Sequence, residues 1–329
     1  MGESNKARAV PPPNGFIPDI SIIGELNPDV ILYGVPNDLP EEREVLSTGF
    51  TLTLGSSSAI LAHNLSLLGS QVSFTACVGD DVFGEMCCRT LQEAGADLTH
   101  IAYAPPGVNT GVTVILPLTG TRRIITYPGA MFELRMEHID IEYLAAAKHF
   151  HLSSLFLHRG LSPDIPRLFS EMKQRGLSTS LDTNDDPEGQ WGGVLDEVLQ
   201  STDILFCTER ELLSIARVSQ PDEAAEALAQ RLPLLVVKRG IRGASAYKAG
   251  RRLDAASLRV EATDSIGAGD SFDAGFLHQF IRGAPLETCL AFANVAGALS
   301  VTRSGGTAAF KDTAHRTEFL AQHWNRPGL

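Results

Sequence analysis

The chain has 329 residues, 43% of them hydrophobic and 20% charged, with a formal net charge of −12 at neutral pH. That length suits one large globular α/β domain with a small accessory piece, and the acidic excess argues against nucleic acid or an anionic membrane as main partner. No apolar run reaches membrane-spanning length and no signal-type stretch opens the chain, so a cytoplasmic location is expected. Cys77, Cys87, Cys88, Cys207 and Cys289 are odd in number and lack C-x-x-C spacing, which reads as buried reduced thiols.

Residues 1–16, with Pro11–Pro13, read as a loose tail. Ile20–Gly24 is a short apolar strand running into Gly24-Glu-Leu-Asn-Pro-Asp29, after which Val30–Tyr33 regains strand character. Asn27 and Asp29 project to one side of an extended segment, as side chains that fix sugar hydroxyls would. An Asn-Pro-Asp turn explains the same letters. The Pro- and charge-rich stretch over 34–53 reads as a β excursion, with strand pattern returning at Thr48–Leu54. Gly55-Ser-Ser-Ser-Ala59 then opens a helix through Leu68, ended by Gly69; its serines suit a helix cap or a hydroxylated ligand equally.

Gln71–Val78 is a strand, and Gly79–Gly84 turns into a helix over 84–94. Thr110–Pro117 and Arg122–Tyr127 flank Leu118-Thr-Gly-Thr121 as a hairpin, which joins the earlier excursion in a small β lid over 34–53 and 108–127. Arg123 and Tyr127 are its candidates to touch a substrate from above, against the plainer reading as exposed hairpin positions. Sheets exposed in this way often pair with a second copy, so a homodimer through the lid is expected.

From residue 138 strands and helices alternate, with strands at His149–Ser153, Ser178–Asp182, Ile204–Phe206 and Leu234–Lys238 and a helix over 163–175. Polar or glycine residues follow the later strands: Asp182-Thr-Asn184, Thr208-Glu-Arg-Glu211 and Arg239-Gly-Ile-Arg-Gly243. Doubly wound sheets place ligands there. His149, His151 and His158 lack acidic or thiol partners at ligand spacing, so no metal is expected on them. Ser257–Ala262 reads as a short strand, and residues 271–282 as a helix with Phe272, Phe276, Leu277 and Phe280 on one side. Between them lies Asp264-Ser-Ile-Gly-Ala-Gly-Asp270, a glycine-rich turn at a helix start, where main-chain N–H groups and the helix dipole receive an anion. Asp270 would repel a resting anion. It is either a plain helix cap or a group that takes a proton from a hydroxyl while the amides stabilise a travelling phosphoryl group.

These motifs, in this order, resemble those of the ribokinase-like (PfkB) family of sugar and nucleoside kinases over roughly residues 20–310. Asp264–Asp270 resembles the family's D-T-x-G-A-G-D signature, Gly24–Asp29 its sugar-holding Asn/Asp motif, and Gly55…Gly69 its G-G-x-x-x-N…L-G motif. The resemblance implies an α/β three-layer αβα sandwich with a mostly parallel central sheet and a small β-sheet lid. The kinase domain would span 17–315, between tails at 1–16 and 316–329.

It further implies Gly267, Ala268 and Gly269 as anion hole and Asp270 as base. Asn27, Asp29, Gly55, Ser56, Ile60, Arg123 and Tyr127 would face the acceptor. Asn184, Thr208, Glu211, Lys238, Gly240, Gly243 and Asn294 would lie on the ATP side, Glu211 holding Mg2+ through water. Main-chain carbonyls of Asp264, Ile266, Ser300, Arg303 and Gly305 would take a monovalent cation, K+. Ser56, Ile60, Thr208, Ser265 and Asp186 depart from the family letters. The reading is ATP-dependent phosphorylation of a hydroxyl on a small sugar or sugar-like substrate. The departures motivate an alternative, a binding regulator with weak or no catalysis.

Overall fold

The computed structural model describes residues 16–324; the tail expected over 1–16 lies outside them save for its last residue. Short runs of Ile, Leu, Val and Phe make the strands of the interior. They are β1 (Ile20–Ile23), β2 (Pro28–Tyr33), β3 (Gly49–Leu54), β4 (Val72–Thr75), β5 (Cys77–Val78), β6 (Ala102–Tyr103), β7 (Val112–Leu118) and β8 (Thr121–Tyr127). The second half adds β9 (His149–Ser153), β10 (Ser178–Asp182), β11 (Ile204–Thr208), β12 (Leu234–Lys238), β13 (Ala244–Lys248) and β14 (Arg251–Ala255). Between them run α1 (Ser57–Leu67), α2 (Val82–Ala94), α3 (Ile141–Ala145), α4 (Ile165–Gln174), α5 (Val194–Val198), α6 (Glu209–Ala216) and α7 (Pro221–Ala229). The chain closes with α8 (Ala268–Phe280), α9 (Leu286–Ser300), α10 (Ala308–Lys311) and α11 (Thr313–His323).

Eight strands form the main sheet in the order β14-β13-β12-β11-β10-β9-β1-β4, parallel from β12 to β4 and antiparallel at β13 and β14. Alternation along each strand feeds two cores. In β9, Phe150 and Leu152 join the layer of α4 to α7, whereas His149 and His151 face α8. Both histidines are fully buried, held by Ser178, Ser180 and Ser153, and burial pulls them down to about 3, so they are neutral packing groups. The opposite layer packs α1, α2, α8 and α9 on Ile20, Ile22, Phe74 and Phe206. The five cysteines are buried and free.

A separate four-stranded sheet, in the order β3-β2-β7-β8, stands off this sandwich. It begins at Pro28, earlier than the sequence pattern implies, and residues 34–48 carry no strand. Two further expectations are corrected. Ser257–Ala262 is not a strand, because Leu258 and Val260 pack against the C-terminal helices instead of pairing, and the strand lies at Arg251–Ala255. The tail expected from residue 316 is helical through His323, with Phe319 and Leu320 buried in the same cluster. Among the described residues no helix is long and apolar enough to cross a membrane.

Candidate active site

The turn after β1 packs on the start of α1 so closely that a Cβ on Gly24 would lie 2.0 Å from Ser58 Cβ. Glu25, nearly fully buried, uses this proximity. Its Oε1 accepts from Ser58 N–H at 3.3 Å and from Ser154 Oγ at 2.8 Å, and its Oε2 accepts from Ser58 Oγ at 2.8 Å. Glu25 therefore caps α1 from another element, where the N-cap residue Ser56 gives no such bond. Ser56 has φ +66°, a left-handed conformation that costs a side-chain-bearing residue about 1–2 kcal/mol. In return its hydroxyl donates to Asn27 Oδ1 at 2.6 Å and accepts from Asn27 N–H at 3.0 Å, fixing the two turns to each other.

Asn27 also donates to Thr113 Oγ1 at 3.2 Å, so its amide ties β7 to the turn. Gly55 is required by Asp29: a Cβ there would fall 2.1 Å from Asp29 Oδ1. Asp29 is 5% exposed, and burial, with Asp270 and Glu25 nearby, pushes it up to about 7 although Arg122 opposes the rise.

The strand register decides which hairpin residues face this cluster. Asp29 pairs with Thr113 and Thr113 with Thr126, so Thr126, Ile124 and Arg122 share the face of Asp29. Arg123 and Tyr127 pair with Leu116 and Val112 and stand on the opposite face, Arg123 donating to the Asn37 carbonyl at 3.1 Å. The sequence candidates are thus displaced by one residue: Arg122 is the lid cation that acts on Asp29. Ile60 is corrected too. It is buried against the loop at Gly306, where an added Cβ would lie 2.6 Å from Ile60 Cδ1, and does not line an acceptor pocket. One turn on, Asn64 donates to the Gly306 carbonyl at 3.0 Å and to Ser271 Oγ at 2.9 Å.

The glycine-rich turn opens α8. Gly267 is its N-cap with φ +72°, and a Cβ there would lie 2.3 Å from Gly306 Cα, so only glycine fits. No side chain caps this helix, whose first amide, that of Ala268, donates to the Ser265 carbonyl at 3.4 Å, and the positive end of its dipole lies at this turn. Asp270, half-buried in the first turn, receives a hydrogen bond from Ser57. Burial pushes it up to about 6; Lys238 lowers it, while Asp182 and Glu25 raise it. The structure therefore gathers Glu25, Asp29, Ser57 and Asp270 around one point.

The remaining strand ends lie alongside. Asn184, at φ +50°, donates from its amide side chain to Ser154 Oγ at 3.0 Å and from its backbone to Asp182 Oδ1 at 3.2 Å. Thr208 and Glu211 form a reciprocal cap on α6: Thr208 Oγ1 accepts from Glu211 N–H at 3.3 Å, and Glu211 Oε2 accepts from Thr208 N–H at 2.8 Å. Burial raises Glu211 above the usual carboxylate range. Lys238 turns inward, donating to Asp182 and Asp273. Gly240 and Gly243 make the positive-φ turn between β12 and β13, and Asn294 of α9 donates to the Ala255 carbonyl at 3.3 Å. Asp186 accepts from the N–H groups of Glu188, Gln190 and Trp191 and so shapes its own loop.

The loops expected to hold a monovalent cation do adjoin. Asp264 Oδ1 accepts from Ile266 N–H at 3.0 Å and Oδ2 from Gly305 N–H at 3.1 Å. Tyr33 of the small sheet donates to the same Oδ2 at 2.7 Å and meets Ser304. With that carboxylate committed, carbonyls remain as the donors, and Ser300 Oγ is buried without a partner beside them in sequence. Such a set fits a weakly hydrated monovalent ion. Among the described residues no cluster of His, Cys, Asp and Glu is arranged to hold a metal directly.

Sequence reasoning passed over Glu25, Asn64, Arg122 and Asp273. Glu25 and Asp273 were open to notice as acids inside otherwise recognisable motifs. Arg122 needed the hairpin register, which no spacing rule supplies.

Comparisons with known proteins bear on the family and the fold. A family model described as pfkB family carbohydrate kinase matches residues 18–313. Probable fructokinase-3 of Arabidopsis thaliana is 28% identical over 299 residues, spanning 85% of this chain and 86% of that protein. The ATP-dependent ribose-1-phosphate kinase of Halopiger xanaduensis is 28% identical over 258 residues, spanning 78% of this chain and 82% of that protein. A crystal structure of a putative ribokinase II from E. coli in complex with ATP and Mg2+ superposes with a TM-score of 0.81 at 26% identity, covering 93% of this chain and 100% of that one.

Proposed function

The chain belongs to the pfkB family of carbohydrate kinases and is a sugar kinase; from that premise we propose that it moves the γ-phosphoryl group of ATP to a hydroxyl of a small neutral sugar, with Asp270 as base and the 267–270 amides as anion hole. The observation that supports this most is Asp270 itself, a carboxylate pushed up to about 6 in the first turn of an uncapped helix. A base of that strength is ionised at neutral pH yet able to take a proton. As the acceptor oxygen bonds to the γ-phosphorus, its proton passes to Asp270 and the bond from that phosphorus to the ADP oxygen breaks. The charge on the equatorial phosphoryl oxygens meets the amides of Gly267 to Asp270.

When bound, ATP and Mg2+ supply the transferable group and the cation that offsets its charge. Glu211 would hold Mg2+ through water, with Asn184 and Thr208 toward the phosphates and Asn294 near the base. The carbonyls of Asp264, Ile266, Ser300, Arg303 and Gly305 would hold K+. Glu25, Asp29 and Asp270 around the acceptor, against Arg122 as the lid cation that acts on Asp29, favour a neutral polyol over a sugar acid or sugar phosphate. An ADP-release assay across neutral aldoses and ketoses, sugar acids and sugar phosphates tests this. Turnover with a neutral sugar is expected. Ligands that shift the melting temperature with no turnover would instead make the chain a binding regulator.

The outer face of the small sheet carries Phe50, Leu52, Ile125 and Tyr127, exposed by 63, 40, 61 and 53%. An apolar sheet face of this kind supports a homodimer through the lid. Sedimentation should give a dimer for the native chain and a monomer for Ile125→Glu; a monomer in both cases ends this part of the proposal.

A further inference from the structure

Lys238 ends β12 with its side chain 10% exposed, its ammonium donating to Asp182 Oδ2 at 2.6 Å and Asp273 Oδ2 at 2.9 Å. The same nitrogen lies 3.5 Å from where a Cβ on Gly269 would stand, so it rests against the first turn of α8. Asp273 is three residues beyond Asp270 on that helix, and its Oδ1 is buried without a partner. Asp182 ends β10, and its Oδ1 accepts from the Asn184 N–H. One ammonium thus joins two strand ends to the helix that carries the glycine-rich turn. As a stability device a buried clamp of this kind contributes little over well-packed apolar groups. What it fixes is a charge and a position.

We propose that Lys238 is a positioning residue for the transfer step: clamped by Asp182 and Asp273, it holds a fixed positive charge beneath Gly269 that keeps Asp270 ionised and backs the amides of the turn. This rests on the reading of Asp270 as the base. The groups around Asp270 are Glu25 from the turn after β1, Asp29 from β2, Ser57 from α1, Asp182 from β10 and Lys238 from β12. Around Lys238 stand Asp182, Asp273 and Glu211, the last from α6. Burial acts against the charged lysine, yet these three carboxyl groups keep its ammonium firmly protonated. Burial pushes the Asp273 carboxyl well above its ordinary value, against the pull of Lys238. Burial also favours protonating Asp182, but Lys238, Asp273 and the Asn184 N–H together outweigh it and hold this carboxyl below its ordinary value. In this ring Lys238 is the cation that opposes the carboxylates acting on Asp270.

Lys238→Met keeps the stem and removes the charge. The acid limb of kcat/KM should move to higher pH by about one to three units, the scale of losing a nearby opposite charge. At pH 7 kcat/KM should fall about twofold for a one-unit move and about a hundredfold for three, and recover as the pH rises, with KM for ATP within about twofold. Lys238→Arg should keep the limb near its native place, and Asp182→Asn should move it the opposite way. A Lys238→Met enzyme slowed equally at every pH overturns the proposal and makes the clamp mere scaffold. One whose single change is a raised KM for ATP overturns it as well, making Lys238 a nucleotide ligand. Should Lys238→Met not fold, an unmoved limb in Asp182→Asn overturns the proposal by itself. The carboxyl 13C titration of Asp270 in ligand-free protein reads the same charge without turnover. A native chain with no kinase activity would therefore refute the base assignment, while the titration still decides whether Lys238 sets the charge.

Discussion

Asp270→Asn should lower kcat by about 10² or more while leaving the Kd for ATP nearly unchanged, the usual scale for a lost general base. The substitution is nearly isosteric, and an amide can still accept the hydrogen bond from Ser57. What disappears is the ability to take the acceptor's proton. Because burial already disfavours the charged carboxylate, the neutral amide should also raise the melting temperature of the ligand-free protein at pH 8. The sign follows from linkage. A carboxyl whose folded pKa lies above its unfolded value binds more protons folded than unfolded, so its contribution to stability declines as pH rises from about 4 to about 6. A slow but more stable Asp270→Asn enzyme is the expected pair of results from ADP-release kinetics, ATP titration calorimetry and thermal melts. Full activity in that variant would remove Asp270 from the mechanism.

Gly267→Ala should be the other severe change. The residue sits at φ +72°, where a side chain is strained, and the new Cβ would lie 2.3 Å from Gly306 Cα. That neighbour is backbone and cannot rotate away, so either the turn or the loop at Gly306 must move. In the proposed anion hole, displaced amides would no longer meet the phosphoryl oxygens, and losing one such donor typically lowers kcat about 10²–10³-fold. Stability should drop by about 1–3 kcal/mol, since strain at a special φ is among the larger single-residue effects. Gly269→Ala is the control. Its φ is not left-handed, and its nearest contact would be Lys238 Nζ at 3.5 Å, an ordinary separation. Steady-state kinetics with a urea titration on both variants checks the contrast. Equal losses in the two would mean that the positive φ and close approach at Gly267 do not govern the turn.

Much of the frame was legible because strands and helices here obey their own periodicities. The runs at Ile20, His149, Ser178, Ile204 and Leu234 alternate or stay apolar as buried parallel strands do. Gly267 and Asp270 announced themselves through chemistry, since glycine and acid in one turn have few uses together. Ser257–Ala262 alternates as a strand would, yet its apolar residues serve the C-terminal helices, which is packing that a local pattern cannot reveal. Arg123 and Tyr127 missed the inner face by one position because the side-chain period of a strand is two, and a one-residue ambiguity inverts the face. Ile60 looked like a pocket position by its place in a motif, but Gly306, far away in sequence, fills that space. Ser56 is instructive in the other direction. Its left-handed backbone shows why glycine would be the simpler residue, and its two bonds to Asn27 show what the hydroxyl gains.

The central claim, that Asp270 accepts the proton, is met most directly by the pH dependence of kcat/KM in the native enzyme and in Asp270→Asn. The native profile should fall tenfold per pH unit below about 6 and level off above it, and the variant should be slow and show no such limb. An identical acid limb in both enzymes would assign the titration to another group and contradict the account.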